Sequence, residues 1–200
     1  MVTIIDYGMG NLGSVLNMFK RIGIPATVTG EPSAILEASK LLLPGVGSFD
    51  RAKTELESRG LVAPLRSRVK DGVPLLGICL GMQLLTDGSE EGRQPGLGFI
   101  KGYAHRFPGS IQFKVPHMGW NAVYPSSPSA LTVGLPQESR FYFVHSYYVT
   151  TADPSHSILK AQHGLEFDAA IQGGNVFGAQ FHPEKSHKFG MHLLRNFGEL

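Results

Sequence analysis

Apolar and polar positions alternate along this chain in two different textures. In the first half, short apolar runs are separated by stretches of helical spacing. Val2 to Asp6 reads as a strand. Leu12, Val15, Leu16, Phe19 and Ile22 recur at helical intervals, with Asn11 placed to cap that helix and Gly23 to end it. Ala26 to Thr29 predicts a short strand, and Leu41-Leu42-Leu43 a buried one, stopped by Pro44-Gly45. Helices are expected over 49–59 and 61–69. Val73-Pro74-Leu75-Leu76 then leads through Gly77-Ile78-Cys79-Leu80-Gly81 into Met82-Gln83-Leu84-Leu85, a strand, sharp turn and helix. This order implies a mostly parallel sheet covered on both faces.

The second half has few helical intervals before Ser186 to Phe197. Strands are expected over 99–103, 121–124, 141–149, 158–162 and 176–181, separated by Gly, Pro and Ser turns. Antiparallel strands should therefore complete an open, mixed α/β sheet of flavodoxin-like type. No repeat, linker or boundary divides the chain, so 1–200 is expected to be one domain.

Composition narrows the partners. The 200 residues are 42% hydrophobic and 17% charged, as in a soluble globular protein. The formal charge is +2, and acidic residues interrupt the basic ones between Arg51 and Asp71, so no basic stripe points to nucleic acid. The N-terminus has neither a basic leader nor a long apolar run, which predicts a cytoplasmic protein without a membrane span. A lone cysteine excludes an internal disulfide and argues against a cysteine-based metal site.

That cysteine carries the chemistry. Gly77-Ile78-Cys79-Leu80-Gly81 is the thiol counterpart of G-x-S-x-G, in which glycines let a strained turn present a nucleophile at the top of a sheet. A buried, inert thiol is the alternative, although a plain core strand gains nothing from flanking glycines. A thiol nucleophile needs a base, and the base an orienting group. Among the eight histidines, His182 ends an apolar strand and precedes Pro183 and Glu184. Residues two apart in extended backbone share a side, so Glu184 can hold the His182 ring. Acyl transfer also needs donors for an oxyanion. The Leu80 N–H follows the nucleophile, and Pro44-Gly45-Val46-Gly47 is a glycine turn able to supply another. That turn also suits an ordinary strand-to-helix connection or a phosphate cradle, but it has no Gly-Lys-Ser/Thr ending.

Together, Gly77 to Gln83, Phe181-His182-Pro183-Glu184 and Pro44 to Gly47 resemble the class I (triad) glutamine amidotransferases. Asp6-Tyr7-Gly8-Met9-Gly10-Asn11-Leu12, Pro116-His117-Met118-Gly119-Trp120-Asn121 and Lys185-Ser186 are similar to the glutaminase subunits of imidazole glycerol phosphate synthases, over essentially residues 1–197. The resemblance implies a Cys79–His182–Glu184 triad acting on L-glutamine. It implies oxyanion donors from Gly45, Val46, Gly47 and Leu80. Gln83 and Glu91 would bind the substrate's amino acid end, and the backbone of His145, Ser146 and Tyr147 would line it. It implies no cofactor and no metal. It implies a (β/α)8-barrel cyclase subunit as heterodimer partner, meeting Trp120, Tyr142 and Lys185. From the residues alone, Glu91 reads as a solvated loop charge and His145 as a core or edge histidine. Trp120 stays open between core and interface, although Met118-Gly119 beside it suggests a loop. A stand-alone γ-glutamyl hydrolase, the glutaminase subunit of another amidotransferase, a noncatalytic binding domain and a flavodoxin-like cofactor binder are the rival readings.

Overall fold

The computed structural model describes residues 1–109 and 113–200. The first half runs β1 (Val2–Ile5), α1 (Leu12–Arg21), β2 (Ala26–Thr29), α2 (Pro32–Leu36), β3 (Leu41–Leu43), α3 (Phe49–Ser58), α4 (Val62–Lys70), β4 (Leu75–Ile78) and α5 (Leu80–Leu84). The second half runs β5 (Gly102–Arg106), β6 (His117–Ala122), β7 (Tyr124–Pro125), β8 (Arg140–His145), β9 (Tyr147–Thr151), β10 (Ser157–His163), β11 (Leu165–Gly173), β12 (Val176–Ala179) and α6 (His187–Glu199).

The main sheet has the order β2-β1-β3-β4-β12-β11-β10-β7. From β2 to β12 every pairing is parallel; from β12 to β7 every pairing is antiparallel. β9 pairs with β11 and β5, while β6 and β8 form a separate two-stranded sheet. Successive residues of a strand face opposite sides, so the run Leu41-Leu42-Leu43 serves both faces. Leu42 packs with Ile4, Phe19 and Leu194, whereas Leu41 and Leu43 pack with Leu56 and Leu65. One face is thus covered by α1 and α6 and the other by α3 and α4. Asn11 caps α1 as expected, its side chain accepting from the Ser14 N–H at 3.3 Å.

The parallel half follows the expected order, with the short α2 as an addition. The antiparallel half departs from it in four places. The strand expected at 99–103 begins at Gly102, because the N–H groups of Leu97, Phe99 and Ile100 bond to the end of α5 at Leu84 and Leu85 instead. The strand expected at 121–124 is the end of β6 and the start of β7. Trp120 lies inside β6, opposite Tyr142, and not in a loop: Gly119, at φ +128°, is accommodated within the ladder opposite Phe143. The aromatic run 141–149 is two strands in two different sheets, broken at Ser146. The nine-residue β11 has no counterpart among the expected strands. Its polar Glu166 and Asp168 disguise it; Asp168 is buried because the Thr151 N–H and hydroxyl both donate to its carboxylate, at 2.8 and 2.9 Å.

Candidate active site

The carboxyl ends of β1, β3, β4 and β12 converge, the usual place for a site in an open α/β sheet. Cys79 follows β4 directly and has φ 54° and ψ −109°. This sharp turn is anchored by the Cys79 N–H, which donates to the Ala179 carbonyl at 2.7 Å. The flanking glycines are required by contact. A Cβ on Gly81 would lie 2.0 Å from the Leu43 carbonyl oxygen, and one on Gly77 would lie 2.6 Å from the Gly81 carbonyl. Gly45 is equally constrained: its Cβ would meet the Gly81 nitrogen and the Tyr7 hydroxyl at 2.8 Å. The elbow and the Pro44–Gly47 turn are therefore packed backbone against backbone. Tyr7, fully buried, fastens that turn by donating its hydroxyl to the Pro44 carbonyl at 2.7 Å. Burial, with a smaller contribution from Cys79, pushes the Tyr7 pKa up, which keeps it a donor.

His182 and Glu184 stand beside the thiol. The His182 Nδ1 and the Glu184 Oε1 are 2.8 Å apart, and both side chains are buried. Burial works against a charge on His182, but the Cys79 sulfur and Glu184 outweigh it and raise its pKa to about 10. The His182 Nε2 has no partner at hydrogen-bonding distance in the resting geometry.

A cavity of about 370 Å³ joins these groups. Val46, Gly47, Cys79, Leu80, Gln83, Glu91, His145, Ser146, Tyr147 and His182 line it, together with Pro116 and Val144. Gly45 and Glu184 stand behind this lining. Trp120, Tyr142 and Lys185 do not reach it. They meet on the surface, where Trp120 packs edge-on to Tyr142 and the Lys185 ammonium lies over the Tyr142 ring at 5.7 Å. Trp120 is 44% exposed and Met118 63%. Met118 pairs with Val144 across β6 and β8, so the exposed face of the small sheet runs directly into the cavity.

Several expected residues behave differently from a bare reading of the sequence. Glu91 is no solvated loop charge: its Oε2 accepts the Phe49 N–H at 3.0 Å, capping α3, and burial raises its pKa. Asp50 holds the Glu91 loop in place by accepting the N–H groups of Arg93 and Gln94 at 3.0 Å; these bonds hold its own pKa below the usual carboxylate value. The Gln83 amide is committed within the protein, its Nε2 donating to the Tyr147 carbonyl and to Gln180 Oε1, both at 3.3 Å. His145 is neither free nor exposed. Its Nδ1 bonds the Tyr147 carbonyl at 2.8 Å and its Nε2 meets His117 Nδ1 at 2.9 Å. Burial pushes the pKa of His145 down to about 3 and that of His117 to about 4. Both rings are neutral at pH 7, and each donates along the line from Asn121 through His117 and His145 to Tyr147.

Asp50, His117 and Gln180 were not singled out from the sequence. Gln180 was within reach, since it precedes His182 by the same two-residue step that brings Glu184 to the ring. The other two act through contacts across 28 to 44 residues; the Pro116–Asn121 motif contains His117 but does not signal its partner.

Residues 3–199 match the family model "Glutamine amidotransferase class-I". An imidazole glycerol phosphate synthase subunit HisH 2 from Methanococcus maripaludis is 52% identical over 98% of each chain. One from Pseudomonas aeruginosa is 50% identical over the full length of both. A PurLQS structure from Thermotoga maritima superposes with a TM-score of 0.75 at 17% identity, covering 98% of this chain and 96% of that one, a likeness of fold. The chain belongs to the class I glutamine amidotransferases and, within them, to the HisH subunits of imidazole glycerol phosphate synthase.

Proposed function

We propose that this chain is the glutaminase subunit of an imidazole glycerol phosphate synthase, hydrolysing L-glutamine and passing the ammonia to a cyclase subunit. The observation that carries the reading is the Cys79 elbow, held at positive φ in one cavity with His182, whose ring is bonded from behind by the buried Glu184. His182 is cationic at neutral pH, so the proton for the leaving nitrogen is in place before substrate arrives, and Cys79 reacts as its thiolate. The thiolate attacks the side-chain amide carbon of glutamine. The oxyanion that forms is met by the Leu80 N–H, one of the unpaired donors at the start of α5, and by N–H groups of the 45–47 turn. His182 gives its proton to the leaving nitrogen, the C–N bond breaks, and a glutamyl thioester remains. Now neutral, and held by Glu184, His182 takes a proton from water as that water attacks the thioester. Glutamate leaves and the thiolate–imidazolium pair is restored.

Glu91 supplies the charge for the substrate's ammonium group, and the 145–147 backbone lines its amino acid end. The partner is a (β/α)8-barrel cyclase seated on Trp120, Tyr142 and Lys185. The continuity of that exposed face with the cavity supports this docking, because a body covering Trp120 and Met118 also covers the cavity mouth. Ammonia released there is shielded from protonation in bulk water. Among the described residues no helix is long and apolar enough to cross a membrane, and we place the complex in the cytoplasm.

Cys79→Ala tests the reading in the reconstituted complex. Glutamine-dependent synthesis should vanish while synthesis from added ammonium salts at alkaline pH persists. Retention of glutamine-dependent synthesis by the variant would overturn the assignment of the nucleophile.

A further inference from the structure

Gln180 is fully buried between the last residue of β12 and the catalytic histidine strand end. Its backbone N–H donates to the Ala169 carbonyl at 2.9 Å, so its position is set by the sheet. Its side-chain amide lies between the Gln83 amide and the thiol. Oε1 is 3.3 Å from the Gln83 Nε2, and Nε2 is 3.8 Å from the Cys79 sulfur.

The direction of this amide follows from its neighbours. The Tyr147 carbonyl can only accept, so the Gln83 atom facing it is the NH2 group. The second hydrogen of that NH2 points at Gln180 and requires an oxygen there. Gln180 must then turn its own NH2 toward the sulfur. The Tyr147 carbonyl is itself held by His145 Nδ1 at 2.8 Å, so the orientation is transmitted from a fixed point.

The sulfur has one other neutral polar contact of this kind, the Val144 carbonyl at 3.9 Å. A carbonyl suits the thiol, which donates S–H to it, and opposes the thiolate. The Gln180 NH2 has the reverse preference. The two contacts therefore divide the protonation states between them.

We propose that Gln180 stabilises the Cys79 thiolate by donating its Nε2–H to the sulfur, with Gln83 setting the direction of the donor. The inference rests on the reading of Cys79 as nucleophile, and it adds a neutral donor to the cationic His182.

The test reads the thiol itself. Cys79 is the sole cysteine, so alkylation by iodoacetamide reports it alone. The pH dependence of the alkylation rate gives a midpoint that belongs to the Cys79–His182 pair. Gln180→Met keeps the length and removes the donor. Gln180→Glu keeps an acceptor for Gln83 and places an oxygen against the sulfur. Each variant should raise the midpoint by about one pH unit, which slows alkylation about tenfold at a pH below both midpoints. Thermal unfolding is followed alongside; if Gln180→Met fails to fold, Gln180→Glu decides. A folded variant with an unshifted midpoint would overturn the proposal, even if its glutamine turnover fell, because that pattern is loss of packing. A shifted midpoint supports it whether or not the wild-type complex turns over glutamine, so this inference and the functional reading fail separately.

Discussion

Gly81→Ala perturbs the contact on which the site's geometry depends. The added Cβ would lie 2.0 Å from the Leu43 oxygen, 3.0 Å from the Leu43 carbonyl carbon and 3.5 Å from the Pro44 carbonyl carbon. Carbon–oxygen contacts in proteins begin at about 3.3 Å, so the elbow must retreat from β3 by roughly 1.3 Å. All three obstructing atoms are backbone, and Leu43 is paired with Gly77 in the parallel ladder, so no side chain can swing aside to absorb the change. The displacement opens the gap between Cys79 and the Pro44–Gly47 turn. A misplacement near 1 Å at a reacting centre costs about a hundredfold in rate. Overpacking of this kind costs about 1–3 kcal/mol, or roughly 2–12 °C in Tm for a chain of this size. Glutamate release by the complex gives kcat/KM, and a thermal melt gives stability. Gly13→Ala is the control: it lies in α1 with nothing within 4 Å of its Cβ. That variant should keep full activity and melt at or slightly above the wild-type temperature, since alanine is the better helix former. Wild-type kcat/KM and Tm in Gly81→Ala would refute the claim that elbow and turn are in obligatory contact.

Three further outcomes follow from the site. His117 and His145 are held neutral below their ordinary pKa, so the folded state takes up fewer protons than the unfolded chain as pH falls. Their contribution to stability is complete above about pH 6.5 and is lost as pH falls toward 4 and 3; His117→Phe should give a shallower acid limb in unfolding experiments, and an unchanged limb would count against the neutral pair. Asp50→Ala releases the N–H groups of Arg93 and Gln94 and loosens the Glu91 loop; KM for glutamine should rise several-fold with kcat nearly unchanged, and a fall in kcat alone would contradict this role. Trp120→Ala should weaken cyclase binding in titration calorimetry by about 2 kcal/mol, roughly thirtyfold, while leaving the melting temperature of the isolated chain unaltered. Undiminished affinity would move the docking surface elsewhere.

The parallel half of the fold was legible because its central strands β1, β3 and β4 are buried on both faces and read as largely apolar runs, as in Leu41–Leu43. The antiparallel half was not, because its polar residues are satisfied by partners far away in sequence. Asp168 in β11 looks like a loop residue until Thr151 is seen donating to it twice. Ser146 looks like one position in a continuous aromatic strand, yet the chain passes there from one sheet to another. The same division holds in the site. Cys79, His182 and Glu184 are linked by turn chemistry and a two-residue period, both visible in a linear pattern. Asp50 acts on a loop more than forty residues away, and His117 on a ring in a neighbouring strand. Met118-Gly119 suggests a loop beside Trp120 because glycine is an uncommon choice for a paired strand, yet all three residues lie in β6.

Among the described residues that line the cavity, Cys79 alone has its side chain on a backbone conformation that L residues seldom adopt. Such a residue carries strain of about 1–3 kcal/mol, and glycine would relieve it. At this position, then, the most comfortable residue for the fold and the necessary residue for the chemistry are different. Selection for stability alone would discard the thiol, and a chain drifting free of its catalytic duty should lose its nucleophile early and grow sturdier as it does.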